Sequence, residues 1–194
     1  EKKDGDMDSR DILTIKGLIR RGEARTASSY NNIPLDRVHF LDLPFYETGK
    51  IQKNPISEAD VEIVRNLLRE IKPHQIFVAG DLADPHGTHR VCTDAVFAAV
   101  DLEKEEGAKW LKDCRIWMYR GAWAEWEIEN IEMAVPISPE ELRAKRNSIL
   151  KHQSQMESAP FLGNDERLFW QRSEDRNRGT ATLYDQLGLA SYEA

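Results

Sequence analysis

Two imidazoles three residues apart, His86 and His89, are the residues of this chain most suited to chemistry, and two carboxylates, Asp81 and Asp84, come just before them. Side chains at i and i+3 fall on one side of a helix's first turn. From there one ring can hold a metal while the other points at a substrate. Imidazole beside carboxylate is ordinary zinc-site chemistry. The same residues have a plainer reading. The histidines can be solvent-facing residues at a helix start, and either aspartate can cap that helix. Spacing alone leaves both readings open.

The elements around these residues decide where they would sit. Gln75 to Ala79 is a short apolar run, as a central parallel strand should be. A helix is expected from about His86 to Glu106, with Val91, Ala95, Ala98, Ala99 and Leu102 on its core face. The strand end would aim the intervening loop, and open α/β sheets bind ligands beyond the carboxyl ends of their strands.

Before this unit the pattern predicts a helix over 11–30, with Ile12, Ile15, Ile19 and Ala27 on one face. A strand over 37–43 follows, stopped by Pro44. Then comes a helix opened by the capping-box-like Ser57-Glu-Ala-Asp60 and closed by Lys72-Pro73. After the histidine helix come a strand over 115–119, an aromatic-rich loop from Gly121 to Trp126 and a short strand over 131–135. Ser138 and Pro139 open a helix reaching about Gln153. A loop around Gly163 leads to a long charged helix over 166–187. Alternating helices and strands predict an α/β fold with a mostly parallel sheet covered by helices.

Composition narrows the function classes. The chain has 194 residues, 40% hydrophobic and 31% charged, which suits one globular core. Its net charge of −7 argues against a nucleic-acid binder working by general electrostatics. No apolar run approaches a membrane span, and a cytoplasmic location is expected. Cys92 and Cys114 form no CxxC pair and read as two buried free thiols in a reducing compartment. Residues 1–10 are polar and read as a linker or cut end, leaving 11–194 as the domain.

Three segments together resemble the LmbE/PIG-L family of zinc-dependent de-N-acetylases. The first is the strand, the Asp-bearing loop and His86-Gly-Thr-His89 with its helix. The second is the stretch from Lys145 to Gln155, similar to that family's Lys…His-x-Ser-Gln helix end. The third is the Arg-rich first helix and the segment ending Leu43-Pro44. The wording of 40–49, 80–89, 119–123 and 169–178 further resembles a subgroup in which such a domain follows a glucosamine-6-phosphate deaminase-like domain.

The resemblance implies a Rossmann-like three-layer sandwich and a zinc site. His89 would be a metal ligand, and His86 would stabilise the oxyanion or protonate the leaving amine. Zinc would acidify a bound water for attack on an acetamide of an amino sugar. Asp81, Asp84 and His152 would support the site, the last through hydrogen bonds or simply by meeting the final carbonyls of its helix. Arg20 and Arg21 could meet a sugar or phosphate, or form a solvated face. Trp123 and Trp126 could stack on a sugar, though packing is the commoner use of Trp. Asp42, at an expected strand end, is a weaker substrate candidate.

Two departures qualify the match. The family often has Pro-Asp between the two histidines, where this chain has Gly87-Thr88. The family's early His-Pro-Asp-Asp loop, which supplies a His and an Asp ligand and the general base, has no counterpart among the five histidines. Those groups, and the first strand of the sheet, are expected upstream of Glu1. The chain as given would then be inactive alone, with the deaminase-like domain as partner and self-association left open. The competing expectation is a structural or regulatory appendage of that deaminase-like domain.

Overall fold

The structure is a computed structural model describing residues 8–46, 53–80, 87–120, 126–156 and 167–188. Five helices and two strands account for most of them: α1 (Arg10–Tyr30), α2 (Glu58–Ile71), β1 (Gln75–Ala79), α3 (Thr88–Glu105), β2 (Arg115–Tyr119), α4 (Pro139–Ile149) and α5 (Phe169–Gln186). They form two compact units, one of residues 1–10 and 40–124, the other of 11–39 and 125–194.

The first unit is an α/β unit. β1 and β2 are parallel, with Gln75 opposite Arg115 and Ala79 opposite Tyr119. Parallel neighbours need a crossover, and α3 supplies it. α2 and α3 meet through Val64, Leu68, Ala95 and Ala99, with Leu41, Leu43, Ile76 and Trp110 around them. Ala95 and Ala99 are fully buried, so α2 can approach closely. At the edge of this contact the buried Glu103 carboxylate accepts from Arg65 Nε (2.7 Å) and Arg69 Nε (2.6 Å). Glu106 pairs with the same two arginines.

α2 starts as expected. The Asp60 carboxylate accepts from the Ser57 N–H (2.8 Å) and hydroxyl, and also from the Phe45 N–H (2.8 Å). Asp60 is fully buried, and Phe45 is 2% exposed. The 43–46 turn is thereby fastened to the head of α2.

In the second unit α4 opens with the Ser138–Glu141 capping box and Pro139 at its first position. Arg146 of α4 reaches the buried Glu174 of α5 through both Nε and Nη2, and stands 4.6 Å over the Trp170 ring. The last residue of α1 and the one after it hold the far end of α4. Asn31 Nδ2 donates to Ser148 Oγ (2.7 Å), and Asn147 Nδ2 donates to Tyr30 Oη (2.9 Å).

Several expectations need correction. Residues 38–43, expected as part of a strand, form none among the described residues. Asp42 sits at φ 50°, a left-handed conformation that breaks a pleat. Residues 131–135 are likewise unpaired, with Met133 and Val135 exposed. On α1 only Ala27 of the expected core face is buried, while Ile12, Ile15 and Ile19 are 43%, 57% and 48% exposed. Cys92 and Cys114 are free, but Cys92 is exposed rather than buried and Cys114 is half-buried. α4 ends at Ile149, short of Gln153, and a separate 3-10 turn spans Gln153–Gln155. Residues 121–125 of the aromatic loop, the loop around Gly163 and positions 1–7 lie outside the described residues.

Candidate functional site

His89 is the second residue of α3 and half-buried. The strand-to-helix arrangement that should deliver it is present. Thr93 Oγ1, in the second turn of α3, donates to the carbonyl of Ala79 at the end of β1 (2.8 Å). Gly80 continues the ladder through its N–H to the Tyr119 carbonyl, and its own carbonyl accepts from Arg120 Nε (3.1 Å). The start of α3 is therefore fixed against the carboxyl end of the sheet. Asp81, Asp84 and His86 lie outside the described residues.

Gly87 precedes the helix at φ 66°. Glycine reaches this region freely, whereas proline is locked near −65°. The residue between the histidines thus has a conformation closed to the proline the family often carries there. Lys53 is a neighbour that the sequence did not point to. Its Nζ donates to Thr88 Oγ1, between the two histidines, and lies 5.0 Å over the Tyr46 ring. A lysine in a Gly- and Pro-bearing loop carries no pattern that announces such a contact.

Imidazole and carboxylate, the donor types of 81–89, are those zinc takes. Among the described residues, however, no three His, Cys, Asp or Glu side chains converge. The described residues hold one candidate ligand, His89, and not a closed donor set.

The other candidates fall in the second unit. Arg20 is exposed on α1, Arg21 is half-buried, and His152 is half-buried just before the Gln153–Gln155 turn. Glu23 of α1 holds the turn that follows His152. Its carboxylate accepts from Ser154 N–H and Ser154 Oγ, each at 2.7 Å. These bonds, with the charges of His152 and Arg20, hold its pKa below the usual carboxylate value. Trp126 is half-buried, Trp123 lies outside the described residues, and Asp42 is exposed. A groove of about 500 Å³ also runs along α4 and α5, lined by Asn31, Glu141, Lys145, Ser148, Ile149 and Phe169 among others.

A family model, PIG-L, described as GlcNAc-PI de-N-acetylase, matches residues 2–100, about half of the chain. The chain belongs to the PIG-L family. The match takes in β1, the sequence from Gly80 to Gly87 and most of α3, and the Lys145–Gln155 similarity lies beyond it. No solved structure matches the chain. Among the described residues, no helix is long and apolar enough to cross a membrane.

Proposed function

We propose that this PIG-L family chain is part of a de-N-acetylase-type hydrolase that removes an N-acyl group from an amino sugar, with zinc held through His89. Family membership carries the reading, and the placement of His89 at the carboxyl end of a parallel sheet supports it. Zinc, when bound, supplies a Lewis acid and an acidified water at neutral pH. The chain's own groups do the rest. His89 donates one ligand nitrogen. His86 donates a hydrogen bond to the amide oxygen or a proton to the departing amine. Lys53 holds Thr88 and so steadies the residues between the two imidazoles. An oxyanion donor in such a role is worth on the order of 3 kcal/mol. The remaining ligands and the general base come from a His-x-Asp-Asp loop outside this sequence, and a glucosamine-6-phosphate deaminase-like domain is the proposed neighbour.

The test is zinc content by elemental analysis, with release of the acyl acid from N-acetylglucosamine derivatives. It is run on this chain and on a form extended upstream to include that loop. Stoichiometric zinc in the extended form, lost in His89→Ala together with hydrolysis, is the expected result. Zinc retained at wild-type stoichiometry in that variant would sink the ligand assignment. The second reading, a structural or regulatory appendage of the deaminase-like domain, is motivated by Gly87-Thr88. It expects neither zinc nor hydrolysis in either form, and altered deaminase kinetics when the domain is deleted.

A further inference from the structure

The groove along α4 and α5 lies wholly within the second unit, and the PIG-L match takes in only Asn31 of the residues that line it. Its volume of about 500 Å³ falls in the range of small-molecule sites. Ala144, Ile149 and Phe169 give it carbon surface, while Asn31, Glu141 and Ser148 bring polar atoms. Ser173, 7% exposed, lies at its deep side. From Glu141 to Ile149 the α4 wall runs about 12 Å at the helical rise.

The bonds already made around the groove decide what a ligand would find there. Asn31 Nδ2 donates twice, to the Ala27 carbonyl (2.9 Å) and to Ser148 Oγ (2.7 Å). Ser148 gives its own hydroxyl proton to the Ala144 carbonyl (2.9 Å). Glu141 Oε2 accepts from the Ser138 N–H (2.6 Å). What these three side chains still offer is acceptor capacity: Asn31 Oδ1, a lone pair on Ser148 and the other Glu141 oxygen. Lys145 also lines the groove and donates to Asn177 Oδ1. The bonds from Ser138 hold the Glu141 carboxyl below the usual carboxylate range, so it is ionised at neutral pH.

A wall rich in acceptors selects a ligand rich in donors, and the Glu141 charge selects a cationic donor among them. The carbon surface beside them suits the C–H face of a pyranose ring. Hydroxyls, a protonated amine and an apolar ring face occur together in one common class, the amino sugars.

We propose that the α4–α5 groove is a saccharide site for a short amino sugar with a free amine. The Glu141 carboxylate takes the ammonium, Asn31 and Ser148 accept from hydroxyls, and Phe169 packs on a ring face. The inference does not depend on the hydrolase reading.

The test is amide NMR on the full chain at about pH 6, where the sugar amine is protonated and Glu141 ionised. The chain is titrated with the β-1,4-linked disaccharide of glucosamine and with that of glucose, which carries hydroxyls in place of the amines. The glucosamine disaccharide should give saturable shifts at 141–149 and 169–173. The glucose disaccharide should bind about fivefold more weakly, the upper scale of an exposed ion pair. Glu141→Gln keeps the helix cap, since glutamine serves in a capping box, and removes the charge. It should bring the two affinities together. Ala144→Phe fills the groove and should remove saturable binding of both sugars, with an unfolding midpoint near wild type as the check on folding.

No saturable shift in wild type, or saturable shifts at amides elsewhere, would overturn the inference. So would equal wild-type affinity for the two sugars, or a preference that survives Glu141→Gln. Zinc content and hydrolysis in the extended form are read separately, so either reading can fail without the other.

Discussion

The Asp60 carboxylate takes bonds from Ser57 N–H, the Ser57 hydroxyl and Phe45 N–H while fully buried. Burial alone would raise its pKa, but the three donors outweigh that and leave it below the usual value. A lowered folded pKa means the unfolded chain binds more protons on acidification. The stabilisation is thus present above about pH 4 and lost as pH falls through the folded value. Asp60→Ala strips Ser57 and Phe45 of their acceptor, and should cost about 2 kcal/mol in a urea titration at pH 7. Residues of this kind were legible in advance when a local pattern announced them. Ser57-Glu-Ala-Asp60 marked a helix start, and α2 begins there. Glu23 and Lys53 were not legible, because each acts on a residue far off in the chain, Ser154 or Thr88. A glutamate on a helix and a lysine in a loop look like any solvated charge until the fold brings their partners in.

The same distinction holds for elements. β1 and β2 have the bounds their apolar runs suggested, 75–79 and 115–119. A short apolar run is readable without knowing the partner, although the expected burial on both faces is not met: Phe77 and Tyr119 are exposed and only Val78 of β1 is buried. The 37–43 stretch had the right alternation, and Leu41 and Leu43 do pack against the α2–α3 core. Alternation reports which side is buried and says nothing about a ladder, and Asp42 at φ 50° has a conformation that a strand does not accommodate. Between α2 and α3 the buried Glu103, held by Arg65 and Arg69, is the polar counterpart of that core. Burial opposes its charge and the two arginines prevail, so its pKa lies below the usual value. Glu103→Ala leaves Arg65 Nε without its carboxylate while Glu106 still pairs with the guanidinium, and should lower stability by roughly 2 kcal/mol at pH 7. By the same sign argument, the wild-type advantage over Glu103→Gln should shrink as pH falls below about 4. Urea midpoints measured at pH 7 and pH 3 would check both.

At the scale of the molecule, the α/β class was readable from the order of elements, whereas burial on α1 was not. Ile12, Ile15, Leu18 and Ile19 have the spacing of a core face and are all exposed. Periodicity shows that a helix has an apolar side and cannot show what covers it. Substituting Ile15 and Ile19 with Gln should therefore change stability within about 0.5 kcal/mol, as surface changes usually do. A loss of several kcal/mol in thermal unfolding would show that this side is covered.

The parallel pairing of β1 with β2 also sets an order of events in time. Gln75 meets Arg115 only after about 40 intervening residues, α3 included, have been gathered. α1, α2 and α3 need only contacts a few residues apart, and helices form in about a microsecond or less. Contacts that close long stretches come later, because chain entropy must be given up before they stabilise anything. Pulsed hydrogen exchange during refolding should therefore protect the amides of α2 and α3 first. The facing amides of β1 and β2 should be protected afterwards and together, so the sheet end that carries Gly80 and aims at α3 is completed late.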